Sequence, residues 1–491
     1  MNSRSDTHPT LIALLVGPAL FGLVLAAPLE GLTAPAHRLA AVFVWVVAYW
    51  VTEAIPLPAT SLLGSVLCIV LGVAPAGTVL APYADPVIFL FVGSFILAEA
   101  MRSSGLDRRF AWALLRHEWA TRTPGRLLAA LGAVTCAISL WVSNTATTAM
   151  MLPVGIGILA ALGPAGDPAR SRFPIGLLLM LTWSSSVAVG IPVGSPPNLI
   201  AIGMVRNLTG QRLTFFDWTA VTMPVTVVML VLSWAVLRHR YPAHGDMGAA
   251  IAEYVTAQRT AMGPWTRAQR NVAAVFGLAC VSWMLPGALA MVAGPEAPAA
   301  RLLEARLPES AVALGAAALL FMLPTDLARR TFTITWRDAA RIEWGTILLF
   351  GGGLSLGRLM FETGLAETVG RALVRLSGAE SVWALTAMAI VVGVALSETS
   401  SNTASASMVV PVVIAVAGTA GVSPIPPAIG AALGASLGFM LPVSTPPNAI
   451  VYGTGLVPLR EMIRAGLWLD LAGIIVIWVS LRLLCPLLGV M

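Results

Sequence analysis

The chain contains no lysine: all 29 positions counted as Lys+Arg are arginine. Charged residues make up only 11% of its 491 residues, whereas 57% are hydrophobic. A soluble domain carries about 25% charged residues, so this scarcity excludes one, and a mean hydropathy of +0.85 points to a polytopic membrane protein. The apolar tracts are long and continuous, unlike the ~10-residue alternating strands of a membrane β-barrel. Cysteine is also sparse. Cys68, Cys136, Cys280 and Cys485 are scattered through apolar tracts and read as core packing, not as a disulfide framework or metal site. The five histidines (His8, His37, His117, His239, His244) sit at tract edges or in loops without metal-binding spacing. No nucleophile, base or metal set is visible, which argues against a membrane enzyme and against an organic cofactor. The net charge of +6 is read as the positive-inside rule in an arginine-rich chain, with no nucleic acid implied.

Against this background, two polar clusters stand out. Ser139-Leu140-Trp141-Val142-Ser143-Asn144-Thr145-Ala146 interrupts one apolar tract, and Ser397-Glu398-Thr399-Ser400-Ser401-Asn402-Thr403-Ala404 interrupts another. Polar side chains at membrane depth are costly unless satisfied, and so mark a site. One cluster per half suggests one site made by both halves. A channel would instead show a continuous polar lining.

Apolar tracts at 11–28, 39–52, 59–73 and 86–101 read as the first four spans, the first of them an uncleaved helix and not a signal peptide. Residues 106–118 form an interfacial amphipathic helix. Arg102, Arg108, Arg109, Arg116, Arg122 and Arg126 share the connection after the fourth span, which places it, and with it the N-terminus, in the cytoplasm. The tract 125–161 is too long for one span and is broken by the first cluster, which predicts a re-entrant hairpin. A span at 174–204, broken by Gly190, Pro192, Gly194, Ser195, Pro196, Pro197 and Asn198, and another at 219–237 follow. The polar stretch 238–270 divides the halves; spans at 271–292, 309–323 and 344–360 come next, with connections at 294–308 and 325–343.

The two halves repeat. At an offset of 259, Leu90, Phe91, Gly93, Met101, Gly105, Leu106, Leu114 and Arg116 coincide with Leu349, Phe350, Gly352, Met360, Gly364, Leu365, Leu373 and Arg375. At 258, Ser139, Ser143, Asn144, Thr145, Ala146, Met150 and Pro153 coincide with Ser397, Ser401, Asn402, Thr403, Ala404, Met408 and Pro411. At 250, Pro192, Val193, Pro196, Pro197, Asn198, Ile200 and Gly203 coincide with Pro442, Val443, Pro446, Pro447, Asn448, Ile450 and Gly453. If the clusters are hairpin tips, an odd number of spans separates them. They then enter from opposite sides and meet near the midplane, as an inverted repeat. The predicted fold is an all-α polytopic membrane protein, with about 11 transmembrane helices plus two re-entrant hairpins.

Pro-Pro cannot continue a helix, and the break frees backbone carbonyls. With Ser, Thr and Asn oxygens these are hard ligands for a small alkali cation, while helix N-termini suit an anion. No Arg, Lys or His lies between Arg126 and Arg170, between Arg172 and Arg206, or between Arg375 and Arg460. Unless arginines from other tracts reach in, helix dipoles and bound cations must balance an anion there, which couples the two as a symporter requires. Glu398 is read first as facing water or a helix end, with a place in a proton or cation relay as the alternative. Glu53, Asp85, Glu99 and Glu343 are read as interface or helix-end contacts, and the Asn207-Leu208-Thr209 sequon is discounted.

These residues resemble the divalent anion/sodium symporter family, which includes the sodium-coupled dicarboxylate transporters. Tyr49-Trp50-Val51-Thr52-Glu53-Ala54-Ile55-Pro56 is similar to its early signature. Ser143-Asn144-Thr145 and Ser401-Asn402-Thr403 are similar to its paired motifs, and Pro442-Val443-Ser444-Thr445-Pro446-Pro447-Asn448-Ala449-Ile450 to its late one. The resemblance implies a homodimer in the cytoplasmic membrane with an elevator mechanism. Residues 1–124 and 241–375 would form the scaffold, and 125–240 and 376–491 the moving transport domain. It implies one sodium at Ser139, Ser143, Asn144 and Gly194, and a second at Ser397, Ser401, Asn402 and Ser444. A small dianionic substrate would contact Asn144, Thr145, Asn402 and Thr403, with Ser195, Pro196, Thr445 and Pro446 nearby. The expected activity is sodium-driven symport of C4-dicarboxylates such as succinate, malate or fumarate, with sulfate or citrate transport, or sodium-independent exchange, as alternatives on the same fold.

Overall fold

In lipid a chain can satisfy its own amides only as helix or closed barrel, and long apolar runs without alternation choose helix. A computed structural model of the chain describes residues 11–29, 31–115, 117–162, 171–242, 248–294, 297–378 and 381–491; Arg4, His8, Arg116, Arg170 and His244 lie outside the described residues. Among those described, nine helices are long and apolar enough to cross a membrane. Counting the pair Pro298–Arg306 and Glu309–Met322, bent by 57°, gives ten. The nine include Asn144–Ala161, Val382–Thr399 and Asn402–Ala420, the very segments read as hairpin arms, so length alone does not separate an arm from a span. Two stretches read as connections hold helices, Gly248–Ala261 and Pro298–Arg306. A third holds a two-stranded antiparallel hairpin, Pro324–Asp326 with Thr331–Phe332. These surface elements lack a wide apolar face, the signal a membrane reading relies on.

The sequence repeat has a structural counterpart. Helices Pro86–Ser104 and Trp344–Glu362 both follow an acidic residue, and both are closed by a glycine in the left-handed region, Gly105 at φ 70° and Gly364 at φ 81°. Each is followed by an amphipathic helix, Leu106–Leu115 and Leu365–Ser377. The matched Gly93 and Gly352 mark equally close helix approaches. A Cβ on Gly93 would lie 2.5 Å from the Ala313 carbonyl carbon, and one on Gly352 2.5 Å from the Ser61 Cβ. Pro86–Ser104 packs on Glu309–Met322 and Arg267–Ala293, and Trp344–Glu362 on Leu57–Val70. The closing helices of the halves, Phe215–Arg240 and Leu459–Leu487, pack on each other. Glu461 fastens that join, accepting from Arg172 at 2.6 Å and from the Tyr241 hydroxyl at 2.8 Å.

In the first amphipathic helix Asp107 is buried, and burial pushes its carboxyl up to about 6 against the pull of the Arg108 amide and neighbouring arginines. The folded state therefore holds the proton more tightly than the unfolded chain, and stability falls as pH rises from about 4 to about 6. Asp107→Asn should raise the melting temperature at pH 7.5, a gain of under about 2 kcal/mol. The gain should vanish at pH 4, which thermal melts at the two pH values will read.

Candidate functional site

Each polar cluster ends one helix and starts the next. Pro124–Ser139 gives way to Asn144–Ala161, and Val382–Thr399 to Asn402–Ala420. In the first, Ser143 caps the new helix, accepting from the Ala146 amide at 3.3 Å. The central contact is the same in both. The Ser139 hydroxyl lies 2.8 Å from Asn144 Oδ1 and 3.0 Å from the Ser185 carbonyl oxygen. The Ser397 hydroxyl lies 2.7 Å from Asn402 Oδ1 and 2.8 Å from the Ala435 carbonyl oxygen. Ser185 and Ala435 are themselves 250 apart, the offset of the broken-helix block, so the sequence repeat is reproduced atom for atom.

The broken helices match as well. Phe173–Ser186 stops before the break and Pro196–Thr209 restarts it; Ile425–Ala435 stops and Pro446–Tyr452 restarts. Proline begins each restart, where its fixed φ fits and its missing N–H costs nothing. A buried asparagine laces each break. Asn198 Nδ2 donates to the Val189 and Ile191 carbonyls at 3.1 and 2.9 Å. Asn448 Nδ2 lies 2.8 and 3.0 Å from the Gly438 and Leu441 carbonyls. Ser444 lies among these groups, its hydroxyl 3.1 Å from the Gly438 carbonyl oxygen, and Thr445 caps the Asn448 amide at 3.3 Å. The motif reading noted Asn198 and Asn448 but gave them no role; their place in the repeated Pro-Pro-Asn was the available signal.

The halves meet at this level. The Ser195 and Ser436 hydroxyls are 3.3 Å apart, and Thr182 donates to Asn448 Oδ1 at 2.6 Å. Asn144–Ala161 packs on Pro446–Tyr452, and Asn402–Ala420 on Pro196–Thr209, so each cluster's second helix leans on the other half's broken helix. The structure thus brings Ser139 to Asn144, Ser397 to Asn402, and Ser195 to the second break. Ser139, Ser397 and Ser195 are buried, whereas Ser143, Asn144, Thr145, Ser401 and Asn402 keep partial exposure. Thr403 is 9% exposed. The hydrogen bonds named here are made by serine, threonine, asparagine and backbone groups alone. Pro196, Pro197, Pro446 and Pro447 lack N–H groups, so the free amides that could face an anion are those at Asn144–Thr145 and Asn402–Thr403.

Gly194 is a point of close approach. A Cβ there would stand 2.4 Å from the Ala188 carbonyl oxygen and 3.2 Å from that of Leu140, so the first break and the first tip converge on it. Gly194→Ala should lower the melting temperature, a loss of about 1–3 kcal/mol, because the carbonyls must part.

Glu398 does not face water: it is 3% exposed, though it does stand at a helix end, next to last in Val382–Thr399. Its carboxylate accepts from the Met440 and Leu441 amides at 2.9 and 3.2 Å. Asp85 is a helix-end contact as read, capping Val87 at 2.8 Å, but it also pairs with Arg206 at 2.5 Å and Asn207 at 2.9 Å. At the first tip Trp141 stacks on Trp283 at 6.2 Å and meets Phe276 edge-on at 4.8 Å; Thr399, at the matching position of the second tip, is exposed.

A many-spanned helical protein with matched buried polar groups at paired cluster tips and helix breaks is an integral, multi-pass membrane transporter, and the known proteins it resembles are transporters rather than enzymes. The chain belongs to the family described as the sodium:sulfate symporter transmembrane region, whose family model matches residues 7–491. The sodium-dependent dicarboxylate transporter SdcS of Staphylococcus saprophyticus is 31% identical over 495 residues, spanning 99% of this chain and 93% of its own. SdcS of Staphylococcus aureus strain MRSA252 is 30% identical, spanning 97% and 91%. Among solved structures, the YdaH transporter of Alcanivorax borkumensis aligns with a TM-score of 0.56 at 15% identity over 96% of this chain and 97% of that one. MtrF of Neisseria gonorrhoeae aligns at 0.51 and 12% identity, over 92% and 95%. These two are likenesses of fold alone.

Proposed function

We propose that the protein is a sodium-driven symporter of C4-dicarboxylates such as succinate, malate and fumarate, acting as a homodimer in the cytoplasmic membrane with its N-terminus in the cytoplasm. The observation that carries this is the pair of identical Ser–Asn contacts, Ser139 with Asn144 and Ser397 with Asn402, each beside a broken helix. One sodium is held by Ser139, Ser143, Asn144 and the backbone at Gly194; the other by Ser397, Ser401, Asn402 and the backbone at Ser444. The dianion lies between the tips against Asn144, Thr145, Asn402 and Thr403, with Ser195, Pro196, Thr445 and Pro446 around it. Its charge is balanced by the two cations and by the helix N-termini at Asn144 and Asn402, so substrate and sodium bind together.

The two clusters are re-entrant hairpins of an inverted repeat. Residues 125–240 and 376–491 move as one body against residues 1–124 and 241–375. The cross-half bonds Thr182–Asn448 and Ser195–Ser436 fit a single moving body. The Trp141–Trp283 stack and the Asp85–Arg206 pair lie on the sliding boundary and must part in each cycle. Support for the substrate class comes from the SdcS relatives, named as sodium-dependent dicarboxylate transporters. Sulfate is the second reading, favoured by the family's own description. Competition decides between them: unlabelled malate and fumarate should suppress labelled succinate uptake into proteoliposomes while sulfate and citrate leave it unchanged. Suppression by sulfate alone would reverse the assignment.

A further inference from the structure

Where helix Pro86–Ser104 ends, an open hollow of about 560 Å³ separates two parts of the chain distant in sequence. Arg102, Ser103, Ser104, Gly105 and Arg108 line it from one side, Asp338 and Arg341 from the other. Gly105, at φ 70°, turns the chain into helix Leu106–Leu115, so Arg102 and Arg108 stand on either side of the turn. The short helix Trp336–Ala339 packs on Pro86–Ser104 and brings up the second side. Two of the arginines already hold acids: Arg102 meets Glu99 at 2.7 and 2.5 Å, and Arg341 meets Asp338 at 3.6 Å. The Arg108 side chain has no ion pair among the described residues, and neither has the exposed Arg337. Set against Glu99, Asp338 and the buried Asp107, these four arginines leave a surplus of one positive charge at neutral pH. The Ser103 and Ser104 hydroxyls donate back to the Ala100 and Met101 carbonyls at 3.3 and 3.1 Å. One helix ends and another begins at Gly105, so their opposite dipole ends offset each other. The grip on any ligand therefore falls to the arginines.

We propose that this hollow binds the phosphate of an anionic phospholipid, with Arg108 as the main contact and Arg102 and Arg341 at its sides. Guanidinium forks match phosphate oxygens, and basic pockets between helices near a membrane surface suit such headgroups. The depth fits. Trp336 and Trp344 flank the 338–341 side and are 69% and 46% exposed; tryptophans of this kind gather at the membrane–water interface. Trp344 is tied to the same segment, its indole donating to the Ala340 carbonyl at 3.1 Å, so acyl chains have aromatic surface to lie against. The charge fits as well. A surplus of one matches a phosphodiester, which carries one negative charge, better than free phosphate, which carries nearly two. The bound lipid ties residues 102–108 to residues 338–341. On the domain reading above both belong to the scaffold, so the lipid braces the part that stays still.

The site needs neither sodium nor substrate, so its test stands apart from the transport reading. The melting temperature of the purified full-length protein in detergent, titrated with phosphatidylglycerol or with phosphatidylcholine, reads binding directly. Phosphatidylglycerol should raise it and phosphatidylcholine should not. Arg108→Gln and Arg341→Gln should each raise the phosphatidylglycerol concentration for half-maximal effect about fivefold. Arg329→Gln, in the exposed turn between the two short strands, should match the wild type. If Arg108→Gln, beside the buried Asp107, does not fold, Arg341→Gln decides alone. Equal rises with the two lipids overturn the proposal, and so do wild-type titrations from both lining variants. An equal shift in all three arginine variants means attraction by overall charge, and removes the site. An equal rise with inorganic phosphate alone gives the hollow to a soluble anion and overturns the lipid assignment.

Discussion

Asn402→Ala should abolish sodium-driven succinate uptake, and Asn144→Ala should do the same from the opposite half of the chain. Each asparagine Oδ1 is the acceptor next to a buried serine hydroxyl, Ser397 at 2.7 Å and Ser139 at 2.8 Å. Truncation would remove that oxygen and leave the hydroxyl with one acceptor fewer in a water-poor site. A lost charge-assisted contact costs about 1.5–3 kcal/mol, or roughly tenfold to a hundredfold in binding. If cation and anion bind together, the cost falls on both. If the clusters form one site, the double variant should be no worse than either single variant, within assay error. Uptake normalised to reconstituted protein measures this. Residual uptake in one variant alone would mean that the two clusters serve separate sites.

The second large effect is on folding. Asn448→Leu should lower stability by about 3–5 kcal/mol, seen as a fall in melting temperature and poor recovery from detergent. The side chain laces the second break at the Gly438 and Leu441 carbonyls and accepts from Thr182 of the other half. Leucine would take a donor from both carbonyls and leave the Thr182 hydroxyl without its acceptor, at a position that is 0% exposed. Asn198→Leu should cost clearly less. Its Oδ1 has no partner, because the position matching Thr182 is Ala432, which has no hydroxyl. Equal losses in the two variants would contradict a seam that is locked from one side only.

Much of this was legible in the chain itself. Ser-Asn-Thr and Pro-Pro-Asn, repeated in the same order at offsets of 258 and 250, predicted two matched helix breaks, and the hydrogen bonds of Ser139 and Ser397 fall on the same offsets. Pro-Pro is readable because it can only start a helix. The partners of the breaks were not readable. Thr182 is one hydroxyl among several in the run Thr182–Ser186, and only packing against the second half singles it out. Glu398 was misread toward water because a charge beside a helix end normally finds it; here the open amides of Met440 and Leu441 take its place. Helix Gly248–Ala261 and the Pro324–Phe332 hairpin were missed because surface elements without a wide apolar face give no periodic signal.

The most direct test of sodium coupling at a shared site is labelled succinate uptake into proteoliposomes under an inward sodium gradient, with choline as the control. Uptake should rise above equilibrium only with sodium, collapse when the gradient is dissipated, and need no internal dicarboxylate. Equal uptake in choline that depends on succinate inside the vesicles would contradict symport and make the protein an exchanger.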